Sequence, residues 1–105
     1  MNIHDLLQET INRRASDLHL VPDYPPMFRV DTQLASTSRD KLTAQQIEAV
    51  VSPLLDLEQR KILESNKSVD IAYSYGPGRF RINLYYSKGN LCAEFRLIPI
   101  KVQSI

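Results

Sequence analysis

The feature that most constrains the fold is a change of hydrophobic period near Ser68. From that point apolar residues recur at every second position, which is the pattern of half-buried β-strands. The predicted strands are Val69–Tyr75, Arg79–Ser87 and Leu91–Ile98, and the turns between them are Gly76-Pro77 and Gly89-Asn90. Because each turn is short, consecutive strands should pair antiparallel.

The turns predict how these strands pair. We treat each as a two-residue loop, with Gly76 in the conformation of positive φ that such a loop needs. The resulting partners are Tyr75–Gly78, Tyr73–Phe80, Ile71–Ile82 and Val69–Leu84 in the first hairpin, and Leu84–Phe95, Ile82–Leu97 and Tyr86–Ala93 in the second. Both registers bring apolar side chains together, so this face should be the core.

The opposite face of the predicted sheet is polar and rich in arginine. By alternation it carries Asp70, Arg79, Arg81, Asn83, Glu94 and Arg96. In the predicted register Arg96 lies opposite Asn83 and diagonal to Arg81. Arginine is suited to phosphate because its planar fork donates paired hydrogen bonds. A second interpretation stays open, in which the arginines form exposed pairs with the two carboxylates, each contributing about 0 to 1 kcal/mol.

The first two thirds of the chain predict helices with two short strands between them. The predicted elements are a helix over residues 2–14, strands Asp17–Val21 and Met27–Asp31, a polar loop from Thr32 to Lys41, and helices that begin at the capping boxes Thr43/Gln46 and Asp56/Gln59. Pro53 should end or kink the second helix, and the third carries the apolar residues Leu57, Ile62 and Leu63 and should end near Ser65-Asn66. The fold class is therefore predicted to be α+β, with an antiparallel sheet and helices packed on one face.

Several classes of function are disfavoured by composition. Basic and acidic residues number 13 and 12, so no overall charge attracts nucleic acid. Cys92, the only cysteine, should be a small buried hydrophobe, and His4 and His19 have no partner at metal-ligand spacing. No nucleophile elbow or phosphate loop occurs, and no segment predicts a membrane span. We expect one cytoplasmic domain without a catalytic centre of its own.

Four blocks of the sequence, taken together, resemble a known family. They are Ala15–Leu20, Tyr24–Asp31, Gly78–Asn83 and Glu94–Pro99, in that order and over essentially the whole chain. The chain resembles the N-terminal domains of the secretion and pilus ATPases, and among them those of the retraction motors that drive twitching motility, because it begins directly at the first helix. The resemblance implies that residues 1–105 form a PAS-like domain, and that the RecA-like ATPase domain follows beyond this chain.

The resemblance also implies a role for two arginines. Arg81 and Arg96 would approach the phosphates of ATP, bound with Mg²⁺ in the full-length protein, while this chain alone would bind no cofactor and catalyse nothing. Arg79 is a third candidate. Asp17 and His19 would either contact a neighbouring subunit or lie on the exposed side of their strand.

The partners that the resemblance implies are the chain's own ATPase domain, neighbouring subunits of a hexamer and the pilus platform protein at the inner face of the cytoplasmic membrane. Nucleic acid is not among them. Two positions depart from the family pattern: Thr32 replaces a glycine, and Lys88-Gly89 alters a hairpin tip. Three alternatives remain: a protein-interaction module, a PAS-like sensor with a ligand cavity between sheet and helices, and a sheet whose aromatic residues bind single-stranded nucleic acid. The last is disfavoured because Phe80 and Tyr86 belong to the predicted core face.

Overall fold

The computed structural model describes residues 2–36 and 39–99. The elements are α1 (Ile3–Asn12), β1 (Asp17–Leu20), β2 (Met27–Val30), β3 (Gln33–Ser36), α2 (Ala44–Val51), a 3₁₀ turn (Ser52–Leu54), α3 (Leu57–Asn66), β4 (Ser68–Tyr75), β5 (Gly78–Ser87) and β6 (Asn90–Ile98). The strands form one antiparallel sheet in the order β3-β2-β1-β6-β5-β4. Strand β1 therefore lies beside β6, although their paired residues are 73 to 79 positions apart in the sequence.

The helices cover one face of this sheet because each carries an apolar stripe. The buried stripe of α1 contains Ile3, Leu6 and Leu7, and that of α2 contains Ile47, Val50 and Val51. From the sheet, Phe28, Phe80 and Phe95 are fully buried against them. The predicted α+β class, with an antiparallel sheet and helices on one face, is confirmed. None of the helices in the described ranges is long and apolar enough to cross a membrane.

The helix boundaries follow the predicted caps. Both capping boxes are formed, with Thr43 Oγ1 accepting from the Gln46 amide at 3.1 Å and Asp56 Oδ1 accepting from the Gln59 amide at 2.7 Å. Helix α2 gives way to a 3₁₀ turn that contains Pro53, which cannot continue an α-helix.

Helix α3 carries the three apolar residues that the sequence placed on it, but only one of them is buried. Leu63 is buried, but Leu57 is 70% exposed and Ile62 is 39% exposed. The physical reason is the place of α3, which packs mainly against β4. Because β4 is an edge strand, one line of the helix meets the sheet and the rest faces solvent.

The register of the first hairpin is confirmed and that of the second is wrong by two residues. Ile71 pairs with Ile82 as predicted, whereas Ile82 pairs with Phe95 rather than Leu97. The second turn consists of Lys88-Gly89, both at positive φ, instead of Gly89-Asn90. A shift of two leaves every side chain on its predicted face, because side chains alternate with a period of two.

The predicted loop from Thr32 to Lys41 begins with a strand that sequence reasoning missed. Strand β3 pairs with β2, and all four of its residues are exposed, so no alternation of apolar residues marked it. The turn before it consists of Asp31 and Thr32 at φ 50° and 67°. Thr32 thus adopts the left-handed conformation in which a glycine was expected. Residues 37 and 38 of the predicted loop lie outside the described residues.

Candidate anion-binding arginine face

The face of the sheet opposite the helices carries a row of charged residues across four strands. From β2 to β5 the cross-strand neighbours are Arg29, Asp17, Arg96 and Arg81. Because the second hairpin is shifted, Arg81 lies directly opposite Arg96, not diagonal to it as predicted. Directly opposed side chains have Cβ atoms about 4.5 to 5.5 Å apart, so the two guanidinium groups can reach one ligand together.

Arg81 has no counter-ion in the part of the chain that the structure describes, residues 2–36 and 39–99. Its side chain is exposed, as is that of Arg79 on the same strand and face. The predicted ion pairs with Asp70 and Glu94 do not form within these residues, and Asp70 instead accepts a hydrogen bond from Asn83 Nδ2 at 2.7 Å. Like charges directly opposite each other destabilise a sheet, so an anion between Arg81 and Arg96 would relieve their repulsion.

Arg96 is anchored by Asp17 through its inner nitrogen. The Nε atom of Arg96 donates to Asp17 Oδ1 at 3.3 Å, while the Arg96 side chain stays 68% exposed. The alternative that placed Asp17 on an exposed side of its strand is wrong, because Asp17 is only 4% exposed. Its neighbours on both sides are long arginine side chains, which cover its carboxylate.

An open groove of about 330 Å³ lies on this face. Its lining residues are Asp70, Ile71, Arg81, Ile82, Asn83, Glu94 and Arg96. The structure thus brings both predicted arginines to one concave surface. Two forked donors on one surface are chemically suited to a phosphate, phosphoryl or carboxylate group.

A cluster of metal-ligand types lies at the same place. Ligand atoms of Asp17, His19 and Glu94 lie within 4.8 Å of one another, and His19 Nε2 is buried without a hydrogen-bond partner among the described residues. Sequence reasoning missed this cluster because Glu94 comes from β6, the far end of the chain. The guanidinium groups of Arg29 and Arg96 beside Asp17 oppose a cation, so we assign no metal site.

Burial disfavours the charged forms of two further side chains on this face, Cys92 and Tyr85. Burial raises the pKa of the Cys92 thiol above its ordinary value, although a hydrogen bond with Tyr85 acts in the opposite direction. Burial also raises the pKa of Tyr85, which lies directly opposite Cys92. As predicted, Cys92 is buried.

Tyr86, placed by the sequence in the core, is instead 37% exposed at the sheet margin, with Lys67 Nζ 5.5 Å from its ring centroid.

One cavity between the sheet and the helices is too small for an organic ligand. A cavity bordered by α2, α3 and the sheet holds about 50 Å³. Sites for small organic ligands have volumes of roughly 300 to 1,000 Å³. This cavity therefore does not support the alternative of a sensor with a buried ligand.

Comparison with known proteins defines the class to which this fold belongs. No family model matches the chain. In *Pseudomonas aeruginosa*, the type IV pilus retraction ATPase PilT is 35% identical over 103 residues, which are 97% of this chain and 30% of that protein. The type IV pilus ATPase PilU of the same organism is 24% identical over 106 residues, 100% of this chain and 28% of that protein. The chain thus spans about a third of the length of these relatives.

Solved structures give the same result. A crystal structure of the pilus retraction motor PilT with bound ADP superposes with a TM-score of 0.89 and 30% identity, over 98% of this chain and 31% of that one. The *Legionella pneumophila* ATPase DotB, at 19% identity, shares the fold with a TM-score of 0.77, over 94% of this chain and 30% of that one. The fold and these matches define a domain of the pilus ATPase class. More particularly, the chain is a PilT-like N-terminal domain.

Proposed function

We propose that this chain is the N-terminal domain of a hexameric type IV pilus retraction ATPase and that it supplies arginines to the nucleotide phosphates during the motor cycle. The observation that carries the proposal is the opposed pair Arg81 and Arg96 on an open groove, with no carboxylate paired to Arg81 in residues 2–36 and 39–99. The relatives described as a retraction ATPase and as a retraction motor with bound ADP support it.

The chemistry asked of this domain is electrostatic. The ATPase domain would bind ATP with Mg²⁺, and the phosphoryl transfer would take place there. Arg81 and Arg96 would donate hydrogen bonds to phosphate oxygens and neutralise the charge that develops there. Arg79, two residues along β5 on the same face, would be a third donor. Because the arginines and the nucleotide would lie on different domains, the contact would depend on domain closure, and this chain alone would be catalytically silent.

The same proposal fixes the partners and the place of action. The domain would pack on its own ATPase domain and on that of the neighbouring subunit, and the motor would act on the pilus platform protein at the cytoplasmic side of the membrane. The relative from *Neisseria gonorrhoeae*, described as a twitching motility protein and 30% identical over 81 residues (76% of this chain and 22% of that protein), supports a role in twitching motility.

The test is ATP turnover by a protein that carries this domain joined to its ATPase domain. Arg81→Ala and Arg96→Ala should each lower kcat by roughly a hundredfold or more, the range seen when transition-state donors are removed. Lys61→Ala is the matched control, because Lys61 is an exposed cation of α3, on the helix side of the sheet. Unchanged turnover in both arginine variants would rule the proposal out.

A further inference from the structure

A buried carboxylate lies beneath the proposed anion site. Asp17 is 4% exposed, and its Oδ2 accepts a hydrogen bond from Ser16 Oγ at 2.7 Å. Its Oδ1 accepts from Arg96 Nε at 3.3 Å, and Arg29 Nε lies 3.6 Å from Oδ2. Because a buried charge is costly without partners, Asp17 is expected to hold these cations persistently.

The nitrogen by which Arg96 is held decides what remains for a ligand. Asp17 engages Nε, the inner nitrogen of the guanidinium group. The outer nitrogens carry four of the five N–H donors and stay on a side chain that is 68% exposed. Within the described residues no other ion pair holds Arg96. The anchor thus restrains the side chain and leaves its outer donors without a partner among the described residues.

Arg29 completes the anchor from the other side. It lies opposite Asp17 on β2, and its Nη1 donates to the backbone oxygen of Thr32 at 3.2 Å. The Nε and Nη1 atoms of Arg29 thus both have partners within the domain, so Arg29 helps to hold Asp17 in place. The row contains three guanidinium groups and one carboxylate; Arg79, Asp70 and Glu94 on the same face bring the totals to four and three, so the face keeps a net positive charge that can attract an anion.

We propose that Asp17 is the positioning residue of the anion site, fixing the Arg96 guanidinium so that its outer fork is preorganised for a phosphate group. This inference rests on the proposed function of Arg81 and Arg96. Ordering a long side chain costs affinity when it occurs on binding, and a side chain already held in place avoids part of that cost. Loss of the anchor should therefore weaken phosphate binding by roughly three- to tenfold.

The test is calorimetric titration of this chain with inorganic pyrophosphate at constant ionic strength, for the parent, Asp17→Asn and Asp70→Asn. Both substitutions remove one negative charge from the same face, and within the described residues Asp70 accepts its hydrogen bond from Asn83 and forms no ion pair with either arginine. Removal of a negative charge alone should strengthen anion binding. We expect Asp17→Asn to bind pyrophosphate three- to tenfold more weakly than the parent, and Asp70→Asn to bind it equally or more tightly.

Two variants protect the test against a folding defect. Asp17→Glu keeps the charge and should recover part of the affinity, and Ser16→Ala removes only the hydroxyl that orients Asp17. If Asp17→Asn does not fold, Ser16→Ala should still weaken binding. Suppose that pyrophosphate binding by the parent requires Arg81 and Arg96. Equal or tighter binding by Asp17→Asn would then overturn the positioning role and leave the proposed function standing. Absence of binding by the parent would overturn the preorganised anion site on this chain, and ATP turnover by the Arg81→Ala and Arg96→Ala variants would then decide the proposed function separately.

Discussion

At the scale of the residue, the central feature is a pair of like charges that the fold holds face to face. Alternation along β5 and β6 was enough to place Arg81 and Arg96 on one face, because every register shift of two preserves the face. The anchor on Asp17 could not be predicted in this way. It joins residues 79 positions apart in sequence, and only the pairing of β1 with β6 brings them together.

The opposed arginines predict a cost in stability. Arg81→Gln removes one of two like charges that face each other across the sheet, so the free energy of unfolding of the isolated chain should rise by roughly 0.2 to 1 kcal/mol. The gain should shrink at high salt, which screens exposed charges. Urea denaturation at low and high salt measures it, with Lys61→Gln as the control, expected to show little change. A less stable Arg81→Gln would show that no repulsion is present.

At the scale of the element, sequence predicted helix starts and strand faces but not the turns. Capping boxes are local patterns, and both were found. The second β-turn was misplaced because both Lys88-Gly89 and Gly89-Asn90 contain the glycine that a two-residue hairpin turn favours. The left-handed conformation of Lys88, which distinguishes them, is not indicated by the sequence. Strand β3 was missed because backbone pairing with β2, rather than burial, holds it in the sheet.

The turn between β2 and β3 contains a testable strain. Thr32 has φ 67°, a conformation that is costly for a β-branched residue and open to glycine. Thr32→Gly should raise the free energy of unfolding by about 1 kcal/mol. Thr32→Ala is the matched control: it also loses the hydroxyl and methyl groups but keeps Cβ, so it should gain less. Thermal and urea unfolding measure the two gains in stability. An equal gain in both variants would show that the strain comes from the atoms beyond Cβ rather than from Cβ itself.

At the scale of the whole molecule, the strand order places the first strand, β1, beside the last strand, β6, on one surface. Insertion of β1 beside β6 completes the row from Arg29 to Arg81, and local patterns could not predict it, since the contact depends on the entire fold. The family resemblance implied a sheet and an arginine site without specifying this order. The helices occupy the other side, so no helix within residues 2–36 and 39–99 covers the arginine face.

The central claim is that Arg81 and Arg96 bind one anion together. The most direct measurement follows the Nε–H resonances of the arginine side chains by NMR while pyrophosphate is added to the ¹⁵N-labelled chain at constant ionic strength. The account predicts that the signals of Arg81 and Arg96 shift along one saturable curve, and that Arg60, whose Nη2 donates to Ser52, does not respond. No shift at Arg81 and Arg96, or an equal shift at Arg60, would contradict it.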